Sequence, residues 1–149
     1  MTQAAFEALL ADTSKRIEQD IVWQEDEDRS PGVEFRVPID SDSGFPIFIK
    51  GWYNWEARTL SYSLIHRGVG RIYGLDLGKD HHNPSCTYVG EIHKHSWSEV
   101  SRDKDAYVPA DITMAASDPV GVWREFCQEA KINHVGVMNS PPPMNLEMF

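Results

Sequence analysis

Cysteine is nearly absent, with Cys86 and Cys127 the two in 149 residues. So low a count excludes a disulfide-stapled scaffold or a cysteine-rich metal module, and the pair reads as free thiols, one in a loop and one on a helix. Positive charge is also scarce: 14 Lys and Arg stand against 23 Asp and Glu, for a net charge of -9. A surface of that sign repels nucleic-acid phosphates, so general duplex-DNA binding is excluded, although a local basic groove can still hold a short RNA or a nucleotide. No apolar run approaches membrane-spanning length, and the opening M-T-Q-A-A-F-E-A-L-L lacks the basic start and apolar stretch of a secretory signal. The expectation is a cytoplasmic protein with no membrane contact. Also missing are a Gly-rich phosphate loop, a nucleophile elbow and the repeated H-x-T of two-histidine phosphoesterases.

What is present suits one domain over residues 1–149, because two domains of half that length would each be marginal. Phe6, Leu9, Leu10, Thr13 and Ile17 recur at helical spacing behind a possible Thr2 N-cap, which predicts an amphipathic helix from about Thr2 to Glu18, within 1–20. Ile21 to Trp23 reads as a short strand, and Glu25 to Gly32 as an acidic turn. From Val33 the period changes to two. Strands are predicted at Val33–Ile39, Pro46–Tyr53, Arg58–His66, Arg71–Leu77 and Thr87–Trp97, so that residues 33–97 form a sheet with tight reversals at D-S-D-S-G and R-G-V-G. Asp118-Pro119 starts a second helix, Pro119 to Lys131 within 118–132, before an irregular tail at 139–149. The fold class is α+β: an antiparallel meander of about five strands, as an open sheet or partial barrel, flanked by an N-terminal and a C-terminal helix.

Chemistry concentrates between Asp76 and Trp97, where four of the six histidines lie. On a strand, Glu91, His93, His95 and Trp97 share one face while Ile92 and Lys94 point to the other. An H-x-H pair so placed is a metal-ligand spacing, with the third ligand drawn from Glu91, His81 or Asp76 and a divalent metal such as zinc as the cofactor. A metal-free reading uses the same residues differently. His81, His93 and His95 act as general acid and base, Asn83 and Trp97 hold the substrate, and Arg67, Arg71 or Lys94 neutralise a phosphorane-like charge. The run H-K-H-S-W-S-E also carries the H-x-H and Glu99 of a first cupin motif, but Thr87 stands where that motif has glycine, and no second motif follows.

The stretch G-L-D-L-G-K-D-H-H-N-P-S-C, then H-K-H-S-W, then Ala106-Tyr107 before the second helix, resembles an uncharacterised domain family of bacteria and phages. Its members carry R-L-D-x-x-G-x-x-H-x-N-P-D-G, then H-x-H-x-Y and an alanine–aromatic or aromatic–alanine pair. Here Gly74 replaces the Arg, Ser85-Cys86 the Asp-Gly and Trp97 the Tyr. The resemblance implies a shared site over Asp76, Gly78, His81, Asn83, Pro84, His93 and His95, with any anion contact of the replaced Arg either lost or moved to Arg71, and it names no reaction. Two functions follow as expectations. One is a phosphodiester hydrolase, an endoribonuclease-like toxin acting on RNA or a nucleotide. The other is a non-catalytic acidic binder of a basic or nucleic-acid-binding protein: an antitoxin, an immunity protein or a phage anti-defence inhibitor.

Overall fold

A computed structural model describes residues 1–78 and 92–142. His81, Asn83, Glu91 and Cys86 lie outside the described residues. In chain order the elements are α1 (Gln3–Ala11), β1 (Arg16–Ile17), β2 (Gln24–Glu25), β3 (Val33–Ile39), β4 (Ile47–Asn54), β5 (Thr59–His66), β6 (Gly70–Leu77), β7 (Ile92–Ser96), β8 (Ala106–Tyr107), α2 (Pro119–Ala130) and β9 (Asn133–His134). Strands β2 to β8 pair antiparallel in sequence order as one seven-stranded open sheet, and β1 pairs in parallel with β9. The architecture is the α+β meander that the sequence predicts, with one short strand added at each edge.

Two local expectations are corrected. The first helix stops at Ala11 and does not run on to Glu18. Asp12 folds back to accept from the Ser14 N–H and hydroxyl, the local turn chemistry by which such residues leave a helix. The Lys15 side chain then turns inward, fully buried, and its ammonium donates to the carbonyls of Leu9, Leu10 and Asp12. The second correction concerns Ile21 to Trp23, which forms no strand: Ile21 makes one parallel bridge to Met138, and pairing with β3 begins at Gln24.

Alternation along the strands separates two faces. Val33, Phe35, Val37 and Ile39 of β3, Ile49 and Tyr53 of β4, Leu60, Tyr62 and Leu64 of β5, and Tyr73, Leu75 and Leu77 of β6 belong to the core, which also takes in α2. Trp123 lies edge-on to Tyr62, with centroids 5.1 Å apart, and Phe126 is 5.4 Å from Tyr73. The Tyr62 hydroxyl donates to the Pro119 carbonyl at the start of α2. This leaves the second face to Arg36, Lys50, Trp52, Ser61, Ser63, Gly74 and Asp76, joined in register across β3 to β6.

A bulge in the β5–β6 hairpin sets what that face carries. Near the turn His66 pairs with Gly70 and Ile65 with Arg71; beyond the bulge Leu64 pairs with Tyr73 and Ser61 with Asp76. Arg71 and Asp76 are five residues apart and would point to opposite sides of a regular strand. The extra residue reverses that alternation, so both side chains reach the same face and their termini come within 3.4 Å. Leu75 and Leu77 meanwhile stay in the core.

Candidate functional site

Asp76 sits opposite His93 across the β6–β7 pair, and Gly74 opposite His95. The Asp76 carboxylate is therefore flanked by both imidazoles: its Oδ2 lies 3.3 Å from His93 Nε2 and 3.2 Å from His95 Nε2. Its Oδ1 accepts from the Ser61 hydroxyl at 2.6 Å. The two histidine rings stand edge to face with centroids 4.9 Å apart. Asp76, His93 and His95 are 8%, 2% and 3% exposed, so this is a buried constellation and not a surface accident. Burial alone raises a carboxyl pKa, but hydrogen bonds from His93, His95 and Ser61 and the Arg71 charge outweigh it, holding Asp76 ionised well below the usual carboxylate range.

Outer contacts orient these groups. His95 Nδ1 is 2.6 Å from the Asp103 backbone carbonyl, which can only accept, so Nδ1 donates there while Nε2 faces Asp76. A backbone carbonyl on the far nitrogen is the usual arrangement behind a metal-bound histidine. Arg71 Nε donates to the Asp103 carboxylate at 3.0 Å, and its Nη1 reaches Asp76 at 3.4 Å. The guanidinium is thus anchored chiefly on Asp103 and lies over Gly74, where a Cβ would stand 3.1 Å from the Arg71 Cδ.

The donor set fits a divalent transition metal. Two ligands at about 2.1 Å from a tetrahedral ion stand about 3.4 Å apart, and about 3.0 Å apart around an octahedral one. Both Asp76–imidazole separations fall between those values, and all three ligand atoms lie within 4.8 Å of one another. Two imidazoles and one carboxylate, the ligands found among the described residues, are a donor set of catalytic zinc and of non-haem iron sites.

The other predicted site residues divide. Arg71 joins the cluster, whereas Arg67 is exposed at the end of β5 with its guanidinium 5.1 Å from the Phe48 ring. Lys94 points to the core face, where its buried ammonium pairs with Asp111 at 2.6 Å and Glu129 at 2.9 Å, so it cannot neutralise charge at the histidines. Trp97 is a core residue, 5.9 Å from Phe6 between ring centroids, and only borders a cleft of about 500 Å³ that Arg71, Arg102 and Asp103 also line. Glu99 hydrogen-bonds the Gln3 backbone N–H of α1, which removes it from any cupin-like ligand set. Ser61 and Asp103 were missed. Alternation puts Ser61 on the face opposite Tyr62, but the bulge that sets its register with Asp76 leaves no mark in composition, and no motif encodes the Asp103 carbonyl on His95 or its carboxylate on Arg71.

No curated protein and no solved structure matches the chain. A family model does, over residues 1–132, in keeping with the resemblance read from the Asp76–Trp97 stretch. The chain belongs to a family of unknown function, DUF6978.

Proposed function

We propose that the protein is a phosphodiester hydrolase acting on RNA or a nucleotide, with Asp76, His93 and His95 holding a divalent metal, zinc by ligand chemistry. The observation that carries the reading is the buried carboxylate with two imidazole Nε2 atoms 3.2 and 3.3 Å away and a guanidinium alongside. Held by these three residues, a zinc ion would supply Lewis acidity that lowers the pKa of water toward neutrality. Arg71 neutralises charge gathering on the non-bridging phosphate oxygens, and Asp103 and Ser61 keep Arg71, His95 and Asp76 in place. Water adds across the scissile P–O bond, its oxygen going to phosphorus and a proton to the leaving oxygen. Elemental analysis of purified protein, followed by RNA cleavage with and without chelator, tests this. His93→Ala with His95→Ala should abolish cleavage and metal content while the circular dichroism of the sheet persists; a double variant with full activity sinks the reading.

A second reading, a binding protein for a basic partner, draws on the exposed acidic turn at Glu25, Glu27 and Asp28. It predicts a complex whose association slows steeply with salt and ignores the histidine substitutions.

A further inference from the structure

The face that carries Asp76, His93 and His95 continues across the sheet. Pairing in register runs His95, Gly74, Ser63, Lys50, Arg36, one residue per strand from β7 to β3. Residues directly opposite one another share a face, so this is a straight row without a carboxylate in it. At 4.7–4.9 Å per strand, Lys50 stands about 14 Å and Arg36 about 19 Å from His95. Phe48 lies beside the row, 7% exposed because two guanidinium groups cover it: Arg36 at 3.9 Å and Arg67 at 5.1 Å from the ring centre.

Three cations, Arg36, Lys50 and Arg67, are thus gathered on one side of a chain whose net charge is -9. Among the described residues none of the three has an ion-pair partner, unlike Arg16, Arg71 and Lys94. Two guanidiniums on one ring hold like charges close together, and an anion between or above them would relieve the repulsion. Glu34 and Asp20 also line the cleft that Arg36 and Lys50 share, about 460 Å³ in volume, and would repel a second phosphate chain there. The row is therefore one strand wide.

We infer that this row is the track for a single-stranded polynucleotide, whose phosphates bind Arg36, Lys50 and Arg67 while the scissile phosphate reaches Asp76, His93 and His95. The inference rests on the hydrolase reading for its orientation but not for its test. In that test, fluorescence anisotropy follows a labelled twelve-nucleotide oligo-U RNA, and its oligo-dT counterpart, binding to the full chain with chelator present so that nothing is cleaved. Each phosphate contact to a single strand contributes about -0.7 to the slope of log K against log salt, so Arg36→Gln/Lys50→Gln/Arg67→Gln should make the slope shallower by about 2. Affinity at low salt should fall at least tenfold, while Arg29→Gln/Arg124→Gln, exposed positions off the row, should leave it within twofold. Equal weakening by both variants, or no saturable binding by the unaltered chain, overturns the track. RNA bound at least tenfold more tightly than DNA assigns a further contact to the 2′-hydroxyl; equal binding assigns recognition to phosphate alone. Tight binding without cleavage after metal is restored would refute the hydrolase and leave the track standing.

Discussion

Asp76→Asn removes one charge from the cluster and little else. The amide keeps the carboxylate's shape, its oxygen can still accept from Ser61, and Arg71 stays anchored on Asp103. The effect on zinc can be worked through. Zinc at 100 times its Kd stabilises the native state by about 2.7 kcal/mol. In a domain of 149 residues, each kcal/mol moves Tm by about 2–4 °C, so the unaltered chain should gain about 5–11 °C. Loss of an outer-shell partner costs metal affinity about 10–100-fold, and loss of the one anionic ligand among the described residues should cost at least about 100-fold. At the same zinc concentration the variant then sits near its own Kd, where stabilisation is about 0.4 kcal/mol and the Tm gain falls below about 2 °C. Differential scanning fluorimetry over a zinc series reads both values. Equal Tm gains in the two proteins would place the zinc elsewhere and refute the assignment of Asp76 as a ligand; no gain in the unaltered chain at millimolar zinc would refute the metal centre itself.

Three further outcomes follow from the same contacts. Ser61→Ala, which deletes the donor 2.6 Å from Asp76 Oδ1, should lower zinc affinity about 10–100-fold by isothermal titration calorimetry while leaving the fold intact. Lys94→Met leaves Asp111 and Glu129 without their cation and should cost about 3 kcal/mol in urea unfolding, the low end for a broken buried pair because both carboxylates are 34% exposed; adding Glu129→Gln should recover part of it. Acid should unfold the protein through the same network. Burial opposes ionisation of Glu129, but hydrogen bonds from Tyr73, Lys94 and Tyr107 prevail and hold its folded pKa below the ordinary value. A depressed folded pKa gives stability that is present above the unfolded value, about 4.3, and lost as pH falls through the folded one. Tm should therefore hold from pH 7 to about 5 and drop below about 4, with a shallower drop in Glu129→Gln; a drop unchanged by that substitution would remove Glu129 from the account.

Strands β3 to β5 were legible because each buries alternate side chains on one side, so hydrophobic period and turn residues carry the same message. The start of α2 was legible for the same reason: Asp118 caps it by accepting from the Gly121 N–H, as Asp-Pro predicts. The end of α1 was not, because Ile17 keeps the helical spacing while the stop comes from Asp12 and Lys15, whose contacts are specific and not periodic. Pairing His93 and His95 on one face needed only the strand. Bringing Asp76 and Arg71 to them needed the register, and the register turns on a bulge whose residues, Ile65 and Ile72, look like any other strand isoleucines.

Strand β7 inverts the usual rule of burial. Its one aliphatic residue, Ile92, is 43% exposed, while His93, Lys94 and His95 between the neighbouring strands are each at most 3% exposed. Consecutive residues of a strand face opposite ways, so ionisable groups are buried on both sides of the sheet at once. An apolar strand would fill the same position at less cost, since replacing buried polar groups by hydrocarbon of similar volume is often neutral or stabilising. Lys94 can be understood as structure: its three ammonium hydrogens meet Asp111, Glu129 and the face of Tyr73, 5.5 Å away, and it ties β7 to α2. That explanation does not extend to the other face. His93 and His95 bring their Nε2 atoms to 3.3 and 3.2 Å from one oxygen of one carboxylate, which the Arg71 guanidinium also approaches. Three ligand atoms gathered within 4.8 Å of one another could hold a cation, and that geometry is the ground for proposing β7 as a functional strand held in place from behind by Lys94.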